Sequence, residues 1–315
     1  MYNVLKNWCQ NDRLIEQFTE IIQDPKIFWF GRLGGIDYEI ALHYFWDNNF
    51  FENSAHHAYW LDNARKFPGY FDFASKKENF MLYVKKLVES FENLDACFYA
   101  GADLINKIDD NKYAPEDTKF LDHILEGKTT IHYSFAESVM PFLHSFKTWG
   151  EGKKILVVSP LSRSIEFQHA RKDKIIKDYV WPNFELKTLN TSLTWQAKND
   201  TRETLHITTN NWHEEVERLQ DEISKIDFDI AWLSCGSYAT VLGSYIKNLG
   251  KKAIYIGGIM NCLWGIRGDR YNTSYFNPLT PDAYKIVPLE NDFVKKLQGG
   301  KTTTMESARA YFCMK

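Results

Sequence analysis

The chain has 315 residues, of which 44% are hydrophobic and 25% charged. That balance is ordinary for a globular protein and excludes a disordered or low-complexity chain, and the length suits one large domain or two closely joined ones. A formal net charge of −3 gives no general attraction to nucleic acid, and no apolar run approaches the ~20 residues needed to span a bilayer.

The five cysteines, Cys9, Cys97, Cys235, Cys262 and Cys313, are scattered and form no C-x-x-C pair. This argues against a disulfide scaffold or a cysteine zinc site and suits a reducing compartment. The first residues lack the basic-then-apolar design of a signal peptide, so a cytoplasmic protein is expected. Aromatic residues make up 16% of the chain; core packing accounts for most of them, although sugar faces also stack on such rings.

In chain order, residues 3–23 carry a broken apolar stripe and predict an opening helix, ended by Asp24-Pro25. Ile27–Phe30 reads as a strand, Gly31-Arg32-Leu33-Gly34-Gly35 as a glycine turn, and Tyr38–Trp46 as a helix. Residues 50–125 read as mostly helical and aromatic, with one strand at Ala96–Tyr99. Within them Glu78–Phe91 places Phe80, Tyr83, Val84, Leu87, Val88 and Phe91 on one face, the pattern of a core-facing helix.

From about residue 150 strand and helix patterns alternate. Lys154–Ser159 is a strand, Ser164–Tyr179 a basic helix, and Phe184–Leu189 a second strand. Trp212–Ile226 is a helix, Asp229–Leu233 a strand, Tyr238–Leu249 a helix closed by Gly250, and Ala253–Ile256 a strand. Such alternation predicts an α/β fold with a mostly parallel, Rossmann-like sheet flanked by helices and carrying a helical insertion near its start. The whole of 1–315 is expected to form one such domain.

In open parallel sheets ligands bind beyond the carboxyl ends of the strands. Four predicted strand ends carry glycine or small hydroxyl residues: Gly34-Gly35, Ser159-Pro160-Leu161-Ser162, Gly236-Ser237 followed by Tyr238, and Gly257-Gly258. Glycine permits close backbone approach, and a following helix presents free N–H groups to phosphate. A nucleotide or nucleotide-sugar site is therefore expected here, with Gly35, Ser159, Gly236 and Gly257 lining one cleft. Arg32, in the first loop, and Arg267, in the loop after the last strand, are the cations placed to neutralise a diphosphate.

Two acids follow the first turn, Asp37 and Glu39. Residues two apart on a helix point about 200° apart, so one ligand cannot readily use both, and Asp37 is the favoured catalytic acid. Asp227-Phe228-Asp229 has D-x-D spacing but precedes its strand, at the edge opposite the expected site, and is set aside. His56-His57 lacks partners at metal spacing, and Cys235 lacks the flanking glycines of a nucleophile elbow. The basic residues after Ser162 read as a solvated face.

The block from Phe228 to Tyr238 (FDIAWLSCGSY), with Tyr245–Gly258 and Leu263–Gly268 after it, resembles the C-terminal signature of bacterial polysaccharide-locus proteins related to the GT-D fold glycosyltransferases. Arg32-Leu33-Gly34-Gly35-Ile36-Asp37 is similar to that group's arginine–glycine–acid loop. The resemblance covers roughly residues 27–40 and 130–290. It implies transfer of a sugar from a nucleotide-sugar donor to a glycan or lipid-linked glycan acceptor in making a surface polysaccharide, O-antigen or capsule. It also implies work at the inner face of the membrane, alone or in a complex, and use of a divalent metal, Mn²⁺ or Mg²⁺. Gly35 stands where better-known members carry an acid, which leaves the metal ligands open. The alternatives are a nucleotide-sugar-modifying oxidoreductase or epimerase, for which the G-x-G-x-x-G spacing is missing, and a non-catalytic nucleotide- or carbohydrate-binding partner.

Overall fold

The computed structural model describes residues 12–33, 35–66, 68–99, 120, 123–131, 135–192, 208–267 and 279–290. Within them lie helices α1 (Asp12–Gln23), α2 (Ile36–Trp46), α3 (Ser54–Lys66), α4 (Lys77–Glu92), α5 (Phe135–Trp149), α6 (Ser162–His169), α7 (Trp212–Lys225), α8 (Ala239–Asn248) and the short α9 (Met260–Leu263). The strands are β1 (Trp29–Leu33), β2 (Ala96–Tyr99), β3 (Thr129–Ile131), β4 (Lys154–Ser159), β5 (Glu185–Asn190), β6 (Ile230–Leu233) and β7 (Lys252–Tyr255).

The seven strands form one sheet in the order β3-β2-β1-β7-β6-β4-β5, and every adjacent pair is parallel. The expected sheet is therefore present. Parallel strands buried on both faces read as continuous apolar runs, and β4 shows why: Leu156 and Val158 enter a first core while Ile155 and Val157 enter a second. The first core takes the apolar faces of α2, α4, α7 and α8; the second takes those of α1, α5 and α6.

Local chemistry sets the helix ends. Asn211 accepts hydrogen bonds from the His213 and Glu214 amides (3.0 Å each) at the start of α7. Along α7, Trp212, Val216, Leu219 and Ile223 fall on one buried stripe. Ahead of α4, the buried Asp72 carboxylate accepts from the amides of Ala74 and Lys76 and from Asn79. Asp95 accepts from the Phe28 and Trp29 amides at the entry to β1 and pairs with Lys247 at 2.7 Å.

Two expectations shift, and helix α5 and strand β3 are additions to the expected elements. β1 runs through Gly31-Arg32-Leu33, which had been assigned to the glycine turn. Gly31 is buried so tightly that a Cβ there would lie 2.2 Å from Leu94, so it packs inside the sheet and the turn shortens. The helix expected over Ser164–Tyr179 stops at His169, followed by a single 3₁₀ turn at Lys172–Lys174. There the Gln168 carboxamide donates to the Trp264 and Tyr284 carbonyls and accepts from Arg171, which locks the chain into another path. Helix α5 went unread, because Pro141 interrupts its sequence pattern although Val139, Phe142, Leu143 and Phe146 are buried as a stripe. The expected opening helix is present from Asp12 onward, and its first residues lie outside those described.

Candidate active site

The chain leaves β1 into α2 on the first core face, leaves β7 into residues 257–264 on the second, and leaves β6 into α8 on the first. Neighbouring strands whose connections depart to opposite faces open a crevice at their carboxyl ends. β1 and β6 flank β7, so the three loops lie within two strand spacings, about 10 Å. Ser234 ties two of them together by donating from Oγ to the Gly257 carbonyl at 2.8 Å.

Arg32, near the end of β1, lays its guanidinium over the Tyr255 ring, 4.9 Å from the centroid. It also lies against Gly257, where a Cβ would come within 3.0 Å of Arg32 Nη1. Gly257 has φ +66°, so a side chain there would be strained as well as crowded. The Nε of Arg32 is buried and makes no hydrogen bond among the described residues. A buried, unsatisfied guanidinium donor calls for an anionic or carbonyl acceptor.

Asp37 is in the first turn of α2 and only 9% exposed. Tyr83 on α4 donates its phenol hydrogen to Asp37 Oδ1 at 2.5 Å. Burial raises the Asp37 pKa from 3.8 to about 6; the Tyr83 hydrogen bond and the Arg32 charge oppose that rise without cancelling it. Burial also drives the Tyr83 phenol well above its ordinary range, so it remains a donor. Glu39 is half-buried and lies outside this contact, in keeping with its different direction on the helix.

Behind Tyr83, the rings of Tyr70 and Trp212 pack at 4.7 and 4.9 Å. Trp212 Nε1 donates to Ser237 Oγ at 2.8 Å, and its ring is parallel to that of Tyr238. The Ser237 amide donates to the Pro68 carbonyl at 2.7 Å, and a Cβ on Gly236 would lie 2.7 Å from that same oxygen. The helical insertion thus closes onto the turn after β6.

The structure therefore brings Arg32, Asp37, Gly257 and the Gly236 turn into one contact network, with Gly35 and Gly236 exposed and Gly258 half-exposed at its surface. Ser237 and Tyr238 are buried, and both polar groups of Ser237 are engaged inside the protein. Ser159 is buried and accepts from the Leu161 amide, while Ser162 donates to Asn190. Arg267 is exposed, with its amide bonded to Ile286. No hydrogen bond, ion pair or ring contact among the described residues joins these last three to the Arg32–Asp37 pair. Gly34 lies outside the described residues.

The set-aside acids are where their sequence position implied. Asp227 pairs with Lys154 and Asp229 accepts from the Lys154 amide, both at the amino ends of the strands. Among the described residues no three His, Cys, Asp or Glu side chains gather for a metal. Among the described residues the crevice offers a cation one carboxylate, Asp37, beside the Arg32 guanidinium, a set that does not fit a protein-held cation. Two open clefts, of about 590 and 690 Å³, lie elsewhere: between α4, α7 and α8, and at the amino edge of the sheet beside Trp149 and Lys252.

The residues that sequence reasoning missed are Tyr83, Trp212, Tyr255 and Pro68. Tyr83 sits on the apolar stripe of α4 and read as core, which it also is; its hydroxyl was the one available signal.

No family model and no curated protein matches the chain. Among solved structures it is similar to the highly conserved domain of unknown function 1792, described as having a distinct glycosyltransferase fold. The identity is 14%, with 77% of this chain and 76% of the other covered and a TM-score of 0.42. A selenomethionine-substituted structure of that domain matches at 16% identity, covering 79% and 82%, with a TM-score of 0.38. No residue role follows from a likeness this distant. The class defined directly by the strands and helices is an all-parallel, seven-stranded α/β fold.

Proposed function

We propose that the chain is a glycosyltransferase that moves a sugar from a nucleotide-sugar donor to a hydroxyl of a glycan acceptor. Asp37 is the general base that takes the acceptor proton, and Arg32 holds the donor diphosphate. The observation that carries this reading is the pairing of a buried carboxylate titrating at about 6 with a guanidinium whose buried Nε lacks a hydrogen-bond partner. A base with a pKa just below neutrality is largely ionised at pH 7 yet still basic enough to accept a proton. A cation at the crevice stabilises the charge that builds on a departing nucleotide diphosphate.

Gly35 and Gly236 supply exposed backbone at the strand ends, Gly258 half-exposed backbone, and Gly257 makes room for the cation. The arginine–glycine–acid loop and the residues after Phe228 support the same reading by resemblance, and with them the surface-polysaccharide setting and a lipid-linked acceptor. Ser237 and Tyr238 serve as the wall of the site in this scheme.

The test is a thermal-shift panel of nucleotides and nucleotide-sugars, followed by a transfer assay with the donor that stabilises the protein. Stabilisation by one nucleotide family, lost in Arg32→Gln, and transfer lost in Asp37→Asn are expected. A protein that no nucleotide-sugar stabilises, or that transfers normally without Asp37, overturns the reading.

A further inference from the structure

Asp37 could hold its charge in several orientations if burial alone surrounded it. Instead one oxygen is tied at 2.5 Å to a phenol that is itself packed against two rings, Tyr70 at 4.7 Å and Trp212 at 4.9 Å. Phe80 packs against the same ring at 5.9 Å. Tyr83 is fully buried and lies on the inner stripe of α4, so rotating its phenol away would open a void in that packing.

Trp212, in turn, is anchored twice to the turn after β6. Its Nε1 donates to Ser237 Oγ, and its ring is stacked on Tyr238 at 6.1 Å with an interplanar angle of 13°. The Asp37 carboxylate on α2 is thus tied through Tyr83 on α4 and Trp212 on α7 to the β6–α8 turn, by a chain of buried side chains.

We propose that Tyr83 is the positioning residue of this site. Its phenol fixes the direction of the Asp37 carboxylate, leaving Oδ2 as the oxygen that meets the acceptor hydroxyl, and Trp212 holds that phenol in register with the Gly236 turn. The proposal rests on the reading of Asp37 as the base. The phenol acts through Asp37 and touches no reacting atom.

A donor to the carboxylate favours its ionised form, so changing only that donor must shift where Asp37 titrates. The groups facing the carboxylate are Arg32 from β1 and Tyr83 from α4, with Tyr70 and Tyr255 acting electrostatically on Tyr83. Of these only Tyr83 donates a hydrogen bond to it.

The experiment is a pH titration of the full chain by NMR, with aspartate labelled with ¹³C at the carboxyl carbon and the Asp37 signal assigned by its absence in Asp37→Asn. Tyr83→Phe keeps ring and burial, removes the donor, and is expected to raise the Asp37 midpoint by about one pH unit, tenfold in proton affinity. Replacing Tyr83 by 3-fluorotyrosine keeps the shape, strengthens the donor, and is expected to lower the midpoint. Shifts of opposite sign support the proposal, because a packing role alone would not reverse with donor strength. An unmoved midpoint in both variants overturns it. If Tyr83→Phe does not fold, the fluorotyrosine protein decides by itself.

With a donor and acceptor in hand, Tyr83→Phe is also expected to lower kcat tenfold or more with little change in donor KM; an unchanged kcat counts against the proposal. The two readings fail separately. If Asp37→Asn still transfers while the Tyr83 variants shift the midpoint, the base assignment is wrong and the positioning contact stands. If Asp37→Asn abolishes transfer and the midpoint does not respond to Tyr83, the reverse holds.

Discussion

Burial separates Asp37 from Glu39, two residues further along the same helix. The folded protein holds Asp37 at a pKa of about 6 against an ordinary 3.8. A carboxyl whose pKa is raised by folding favours the folded state fully below about 3.8, and that contribution is lost as pH rises through 6. Ionising Asp37 inside the protein therefore costs about 3 kcal/mol above pH 7. Asp37→Asn removes that cost while retaining an acceptor for Tyr83. It is expected to stabilise the protein by about 1–3 kcal/mol at pH 8, with the gain shrinking to nothing near pH 4; urea denaturation at both pH values checks this. The same substitution is expected to lower transfer by ~10²–10⁴-fold, and Glu39→Gln by much less. In wild type, kcat/KM should rise tenfold per unit below pH 6 and level off above it, because the base must be ionised. A flat profile between pH 5 and 7 would show that Asp37 does not titrate in the rate-limiting step.

The turns at the strand ends differ in what their glycines do. Gly35 caps α2 with φ +74° and ψ −170°, a region essentially confined to glycine, and a Cβ there would meet nothing within 4 Å, so Gly35→Ala carries the backbone cost alone, about 1–3 kcal/mol. Gly236 has φ +58° and the Pro68 carbonyl 2.7 Å from a built Cβ, an oxygen also held by the Ser237 amide. Gly236→Ala must push the insertion away from the β6 turn and is expected to cost more, about 2–4 kcal/mol, as read by chemical denaturation. Equal losses at the two positions would mean that the insertion gives way freely there. Gly257→Ala acts differently again: its crowding falls on Arg32, so weakened binding of nucleotide diphosphate is expected alongside the backbone strain.

Across the whole molecule the crevice depends on parts far apart in the chain. β1 and α2 supply Arg32 and Asp37, the insertion supplies Tyr83 and Pro68, and residues 212–258 supply Trp212, the Gly236 turn, Tyr255 and Gly257. A ligand held between these pieces binds the folded chain alone. A nucleotide-sugar at one hundred times its Kd is therefore expected to stabilise the protein by about 2.7 kcal/mol, visible as a raised melting temperature. In Arg32→Gln that shift should largely vanish while the unliganded melting temperature falls only modestly, because Arg32 makes no salt bridge among the described residues and loses only its charge near Asp37 and its stacking on Tyr255. Retention of the full shift would place the diphosphate elsewhere.

The alternation after residue 150 was enough to determine a parallel sheet, because the strands there are short apolar runs and α7 and α8 carry their own apolar periods, although the helix after β4 is shorter than its basic pattern implied. Arg32, Asp37, Gly236 and Gly257 were legible as loop residues for the same local reason. The partner of each was not. Period and propensity report which face of a helix is apolar, so Tyr83 and Trp212 counted as core. They do not report that one phenol on that stripe meets a carboxylate 46 residues earlier in the chain. Nor could strand-end position separate Ser237, sealed under the Pro68 carbonyl, from Gly236 beside it, which stays exposed. Desolvation of Asp37 is likewise a property of everything packed around it. Legible in the residues alone were six of the seven strands and their common direction, but neither β3 nor the true end of β1 at Leu33. Tertiary packing alone decided which of the strand-end residues are buried, which are joined, and that one acid carries a shifted pKa, because burial and contact arise between segments distant in the chain.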